Sequence, residues 1–347
     1  MLKLILLALG VLALIGLVWH VGPTQILAAV THLGPGAILV ILLPSLLMYV
    51  IEAYGWRLTM GVYADRVPFG SLLAIRTAGE VVNMTTPTAY VGGEPLKAYL
   101  LKRHGVPTVD GMASAITAKT TMTLGEVLFI LLGIALSAVA MDEGNAPPMA
   151  GRETSHSLVP ALVGVSCLLS GTLLLLAVQR RGLFTGLLTL LRRCRIRLAY
   201  LESREEKLRA LDQAIQKFYA RDRLAFLLSI GVFVLGWLCE ALEVYVILYY
   251  IGPPVDAVAS ISIAALAAII KGGSFIIPGS VGAQEGGNVL LLMAYGYSDL
   301  AGIIFAVLRR VRELVWIIIG LACLAALGGF RRSILDADVQ SEDLRKS

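Results

Sequence analysis

Along this chain, apolar runs of about 20 residues alternate with short polar stretches, and that is the length a helix needs to cross a hydrocarbon core about 30 Å thick. Six such runs stand out: Leu4–His20, Gly36–Trp56, Asp110–Met141, Leu158–Val178, Leu224–Tyr250 and Leu300–Gly328. A bilayer core offers no water to backbone amides, so runs of this kind must be helices unless protein shields them. None shows the apolar-out, polar-in alternation of a barrel strand. The pattern predicts an all-α polytopic membrane protein with one integral domain over residues 1–330 and a cytoplasmic tail over 331–347. The first run follows Lys3 and is short, so a signal peptide is the alternative there, although no small-residue cleavage site follows it cleanly.

Two further segments, Phe69–Arg103 and Val258–Tyr297, do not read as loops. Each has an apolar half of about ten to fifteen residues, too short to span, then a break, then a second apolar half. The breaks are TTPTAYVGGEP (Thr85–Pro95) and IIPGSVGAQEGG (Ile276–Gly287). Proline removes a helical donor and glycine admits non-helical dihedrals, which makes Pro87, Gly92, Gly93, Pro278, Gly279 and Gly282 the candidate break positions. Two re-entrant broken-helix hairpins are expected, with a pair of interfacial loops as the alternative.

Composition agrees: 57% of the 347 residues are hydrophobic and 15% charged, against roughly 25% charged in a soluble domain. Charge asymmetry then orients the chain. The linker 180–223 holds twelve Lys/Arg against five Asp/Glu, whereas the loop Asp142–Ser157 holds one Arg against three acids. The linker is therefore expected inside and the loop outside, which places both termini in the cytoplasm if each hairpin returns to the side it entered. Leu201, Leu208, Leu211, Ile215 and Phe218 recur at helical spacing in the linker, as in an amphipathic helix on an anionic inner leaflet. Nucleic-acid binding, the other use of so basic a stretch, has no reader motif here.

The two halves repeat. Pro87 precedes Glu94 by seven residues, and Pro278 precedes Glu285 by seven. GEVLFILLGIA (Gly125–Ala135) aligns with RELVWIIIGLA (Arg312–Ala322), pairing Glu126 with Glu313, Phe129 with Trp316 and Gly133 with Gly320. Glu52-Ala53 matches Glu240-Ala241. With the orientation above, residues 1–141 and 158–330 form an inverted repeat, an architecture of alternating access.

A charge at mid-bilayer costs at least about 2.5–3.5 kcal/mol, so each should face a partner or a wet cavity. Lys119 and Glu126 share a helical face, as do Glu240 and Glu243, and as do Arg309, Arg312, Glu313 and Trp316. Arg76, Glu80, Glu94, Lys97, Lys271 and Glu285 lie in the hairpins. These charges either hold the bundle together or line a cavity for a zwitterionic or anionic head group or a coupling proton. The candidate transport residues are Glu94, Lys119, Glu126, Glu285, Arg309, Arg312 and Glu313. Glu94 and Glu285 would sit at the mouths of the second half-helices, where the helix dipole favours a carboxylate. Lys119, and Arg309 with Arg312, would oppose them and hold a phosphate; a static Glu285–Arg312 salt bridge is the plainer alternative.

The runs GEVVNMTTPTAYVGGEPLKAYLL and IIPGSVGAQEGG, with the Arg/Glu-bearing last span, resemble the flippase-like membrane domain of the lysylphosphatidylglycerol synthetase family over about Gly36–Gly328. The stand-alone form resembles the branch that includes the hopanoid-biosynthesis-associated membrane protein. The resemblance implies a bacterial inner-membrane protein that moves or presents lipids between leaflets, with phospholipids, aminoacyl phospholipids, hopanoids and glycolipids all in view. The family's best-known members carry a fused aminoacyl-transfer domain; no segment of this sequence reads as one, so lysyl transfer is not expected.

Catalytic signatures are sparse. His20, His32, His104 and His156 lack metal-ligand spacing, Cys167, Cys194, Cys239 and Cys323 form no CxxC pair, Ser280 lacks a GxSxG context, and there is no Walker A sequence. No catalytic residue, metal or cofactor is expected. A transferase acting on a lipid-linked substrate and a scaffold for lipid-synthesis enzymes remain the alternatives, and a second copy of the chain remains open as a partner.

Overall fold

A computed structural model describes residues 19, 22–86, 92–142, 154–193, 204–253, 255–274, 280 and 282–329. Regular structure among the described residues is entirely helical. Helix α1 (Pro23–Leu58) bends at Gly34, which takes φ +77° ahead of Pro35, because the proline ring pushes the preceding residue out of the helical region. Its apolar span begins there, at Leu33–Leu58. Two other helices are long and apolar enough to cross: Thr108–Ser137, within α4 (Thr108–Asp142), and α8 (Arg223–Ile251). A fourth span results if α5 (Thr154–Arg181) and α6 (Leu183–Arg193), bent by 91° between them, count as one. The chain is thus a multi-pass helical membrane protein, with three clear spans and up to four among the described residues. Helix α11 (Asp299–Leu324) has the length for another, but Arg309, Arg310, Arg312 and Glu313 interrupt its apolar character midway. The expected span Leu4–His20, apart from Trp19, the loop 143–153 and the tail 331–347 lie outside the described residues.

Both broken segments form two helical halves. In the first, α2 (Phe69–Thr85) is followed by α3 (Gly93–Leu101), packed back on it; in the second, α9 (Ala257–Gly273) is followed by α10 (Ala283–Ala294). Pro87, Pro278 and Gly279 fall outside the described residues. Gly92 has φ −65°, ordinary helical backbone, so the expected special conformation is absent there. Gly93 instead marks a close approach: a Cβ there would meet the Gly79 carbonyl and the Asn83 side chain on α2. Gly282 adopts φ +81°, the left-handed region that glycine enters without penalty. The Glu285 carboxylate caps it by accepting the Gly282 N–H at 2.7 Å.

Packing exchanges the two hairpins between the halves of the chain. Each second half-helix lies on its own following span, α3 on α4 and α10 on α11. Each first half-helix lies on the other half's span, α2 on α11 and α9 on α4, while α1 packs on α8. Gly133 on α4 makes room for Ala265 and the Ile261 carbonyl of α9, and Gly320 on α11 makes room for Val81 and the Thr77 carbonyl of α2. Tyr49 of α1 stacks on Trp316 of α11 at 3.7 Å, and Trp237 of α8 stacks on Phe129 of α4 at 6.0 Å. Around these contacts, leucines such as Leu39, Leu43, Leu224, Leu227 and Leu235 face outward, an apolar surface of the kind lipid covers.

The basic linker differs from expectation. Helix α7 (Glu205–Arg221) is amphipathic, but Leu211, Ile215, Phe218 and Tyr219 are buried against Val109, Met112 and Ile116 of α4 and Leu176 of α5, not turned to a leaflet. Amphipathic spacing shows that a helix has an apolar face; whether protein or lipid covers that face depends on tertiary packing. Asp212, buried on α7, accepts the Phe184 N–H at 3.0 Å, the Thr185 N–H at 2.8 Å and the Thr185 hydroxyl at 2.6 Å. It thereby caps α6 from a distance and fixes the sharp bend at Gly182, where φ is +102°. Asp212→Ala should lower stability by about 1–2 kcal/mol, the worth of a lost helix cap, measured by thermal unfolding in detergent.

Candidate functional site

A cavity of about 1200 Å³, counting the solvent at its mouth, opens where the two halves meet. Helix α1 contributes Tyr49 and Glu52 to its wall, α2 Arg76 and Glu80, and α4 Lys119, Met122 and Glu126. Trp237 and Glu240 come from α8, Lys271 from α9, and Arg312, Glu313 and Trp316 from α11. A narrow adjoining crevice, about 290 Å³ counting the solvent at its mouth, shares Arg76, Glu80, Lys119 and Met122 and adds Glu94 and Lys97. The walls therefore combine both signs of charge with stacked aromatic rings.

Most of these charges are matched. Arg76 bonds to Glu52 and lies over the Tyr49 ring at 5.0 Å. Lys97 bridges Glu80 at 2.7 Å and Glu94 at 3.2 Å, and Asn83 holds the Gly93 N–H at 2.6 Å. On α11, Arg309 bonds to Glu240, while Arg312 reaches Glu240 at 2.9 Å and Glu243 at 2.6 Å. Arg310 bonds to Glu285 and Glu313, and Gln284 donates to Glu313 at 3.1 Å. Such pairs inside a bilayer offset the desolvation of their members; their worth shows mainly when one partner is removed.

Two charges have no direct partner. The Lys119 ammonium and the Glu126 carboxylate both line the main cavity, and neither has a hydrogen bond or ion pair among the described residues. Lys271 is held loosely, 3.9 Å from Glu313. Two residues of the cavity wall also hold a buried donor without an acceptor, Arg76 Nη1 and Trp237 Nε1. Among the described residues, no three His, Cys, Asp or Glu side chains gather as a metal would require.

Of the residues that the sequence points to, Lys119, Glu126, Arg312 and Glu313 meet in the main cavity and Glu94 borders the smaller one. Glu94 and Glu285 do both fall in the first turn of a second half-helix. Their cations are Lys97 and Arg310, however, not Lys119, Arg309 or Arg312. The Glu285–Arg312 bridge is accordingly replaced by Glu285–Arg310. Arg309 is 3% exposed, is held by Glu240 and lines neither cavity, so it is not placed to receive a head group. Arg310 escapes a reading based on one helical face, although its i, i+3 relation to Glu313 is legible. The roles of Tyr49 and Arg76 in the wall depend on packing between helices, which spacing within one helix cannot show.

A family model described as the lysylphosphatidylglycerol synthase TM region matches residues 2–322. A UPF0104 membrane protein of Methanothermobacter thermautotrophicus is 22% identical over 340 residues, covering 93% of this chain and 95% of that relative. No solved structure matches.

Proposed function

The chain belongs to the family of the lysylphosphatidylglycerol synthase transmembrane region, and from that premise we propose that it moves a polar-headed lipid between the leaflets of a bacterial inner membrane. The observation that carries this reading is the unmatched pair Lys119 and Glu126 in a cavity large enough for a lipid head. A charge at membrane depth without a direct partner costs kilocalories, so it is retained where water or a ligand meets it. A phospholipid, an aminoacyl phospholipid, a hopanoid or a glycolipid head would satisfy both the polar wall and the aromatic one.

The exchanged hairpins supply a route for motion. Their matching contacts, with Gly133 and Gly320 at corresponding crossings, support a repeat of residues 1–141 and 158–330; its inverted sense, six spans and cytoplasmic termini rest on the charge asymmetry of the linker. In such folds, access alternates as one repeat rocks against the other around a fixed site. The exposed Arg192 and Arg193 at the end of α6 suit contact with anionic lipid at the inner face. Chemistry on the lipid is not part of this function.

Reconstitution into vesicles with acyl-labelled lipids tests the proposal by following leaflet exchange and product together. The expected outcome is exchange without a new lipid product. A new product would make the chain a transferase, and neither exchange nor product would make it a scaffold.

A further inference from the structure

The free charges of the cavity are one of each sign on a single helix face. Lys119 and Glu126 lie seven residues apart on α4, which at 1.5 Å per residue is about 10 Å along the axis. Side chains of a helix all lean toward its N-terminus, so the separation is roughly preserved at their tips. A ligand contacted at about 3 Å by each group then carries its own opposite charges about 4–5 Å apart. That is the distance from a phosphate to an ammonium across two carbons.

Other groups fit the same polarity. Arg76 lines the cavity at 4% exposure and its buried Nη1 has no acceptor, so a small turn of the guanidinium gives a phosphate near Lys119 a second donor. Arg76 and Lys119 also border the smaller cavity together. At the other end, Glu126 lies one turn from Phe129, on which the cavity-lining Trp237 stacks, and a carboxylate beside an aromatic ring suits an ammonium. A purely anionic head would leave Glu126 facing like charge, and a longer cationic head would overreach it.

We infer that the cavity takes a dipolar lipid head, with its phosphate toward Lys119 and Arg76 and an ammonium two carbons away toward Glu126. The inference rests on reading the cavity as the head-group site of a lipid transporter, and it names the class of head.

Its test is retention of lipid by the purified full chain in detergent, counted by native mass spectrometry with equimolar phosphatidylethanolamine and phosphatidylglycerol. Wild type should retain phosphatidylethanolamine about tenfold over phosphatidylglycerol, the scale of one charge-assisted hydrogen bond. Glu126→Gln should bring the ratio close to one, Glu126→Asp should keep most of the preference, and Lys119→Gln should lower retention of both lipids. Glycerophosphoethanolamine, the same head without chains, should compete. Equal retention by wild type, an unchanged ratio in Glu126→Gln, or no competition by the free head would overturn the inference. Leaflet exchange separates the two readings. A retention preference without exchange removes transport and leaves the head assignment, whereas exchange without preference removes the head assignment alone.

Discussion

Glu240→Ala will lower the free energy of unfolding by about 3–5 kcal/mol, the cost of removing one partner from a buried ion pair. Glu240 is the shared acceptor of Arg309 and Arg312. Arg312 keeps Glu243 when Glu240 is lost. Arg309 keeps no carboxylate among the described residues, and its Nε is already without an acceptor. An arginine in that state, deep between α8 and α11, must recruit water or distort the helices. Glu243→Ala should cost distinctly less, because Arg312 retains Glu240. Detergent-induced unfolding followed by circular dichroism measures both. A loss under about 1 kcal/mol for Glu240→Ala would mean that water already reaches this network.

Gly93→Val will reduce leaflet exchange at least tenfold while the protein still inserts into the membrane. The new side chain meets the Gly79 carbonyl and Asn83, and backbone cannot yield as a flexible side chain would. The Asn83 contact to the Gly93 N–H would open, and with it the crossing that brings Lys97 beside Glu80. Overpacking of this kind costs typically 1–3 kcal/mol. Gly286→Ala is the control, since nothing lies within 4 Å of a Cβ at that position, and it should exchange lipid as wild type does. Equal activity in Gly93→Val would show that the close approach of α2 and α3 has no part in transport.

The sequence makes some of this architecture readable and not the rest. Apolar length finds the spans at Leu33–Leu58, Thr108–Ser137 and Arg223–Ile251, because the bilayer imposes one length scale on every crossing helix. The breaks are legible too, since proline and glycine act locally. Which glycine matters is less so: Gly92 is ordinary helix while Gly93 meets another helix, and adjacent letters carry no record of that. Lys119 and Glu126 are found correctly as neighbours on one face because they share a helix. Pairing across helices is where spacing fails, as Glu285 with Arg310 and Arg309 with Glu240 both show. The face of α7 was visible as apolar, but not that α4 and α5 would cover it.

Met122 lines both cavities and lies between Lys119 and Glu126 along α4. Its flexible thioether can be replaced by a bulky ring that fills the cavity without removing a charge. The central claim, that a lipid head crosses through this cavity, is tested most directly by leaflet exchange of acyl-labelled phospholipid in vesicles holding wild type or Met122→Trp at equal thermal stability. The predicted result is exchange well above protein-free vesicles for wild type and at least a tenfold loss in Met122→Trp. Equal rates in the two proteins, or no exchange by wild type, would contradict it.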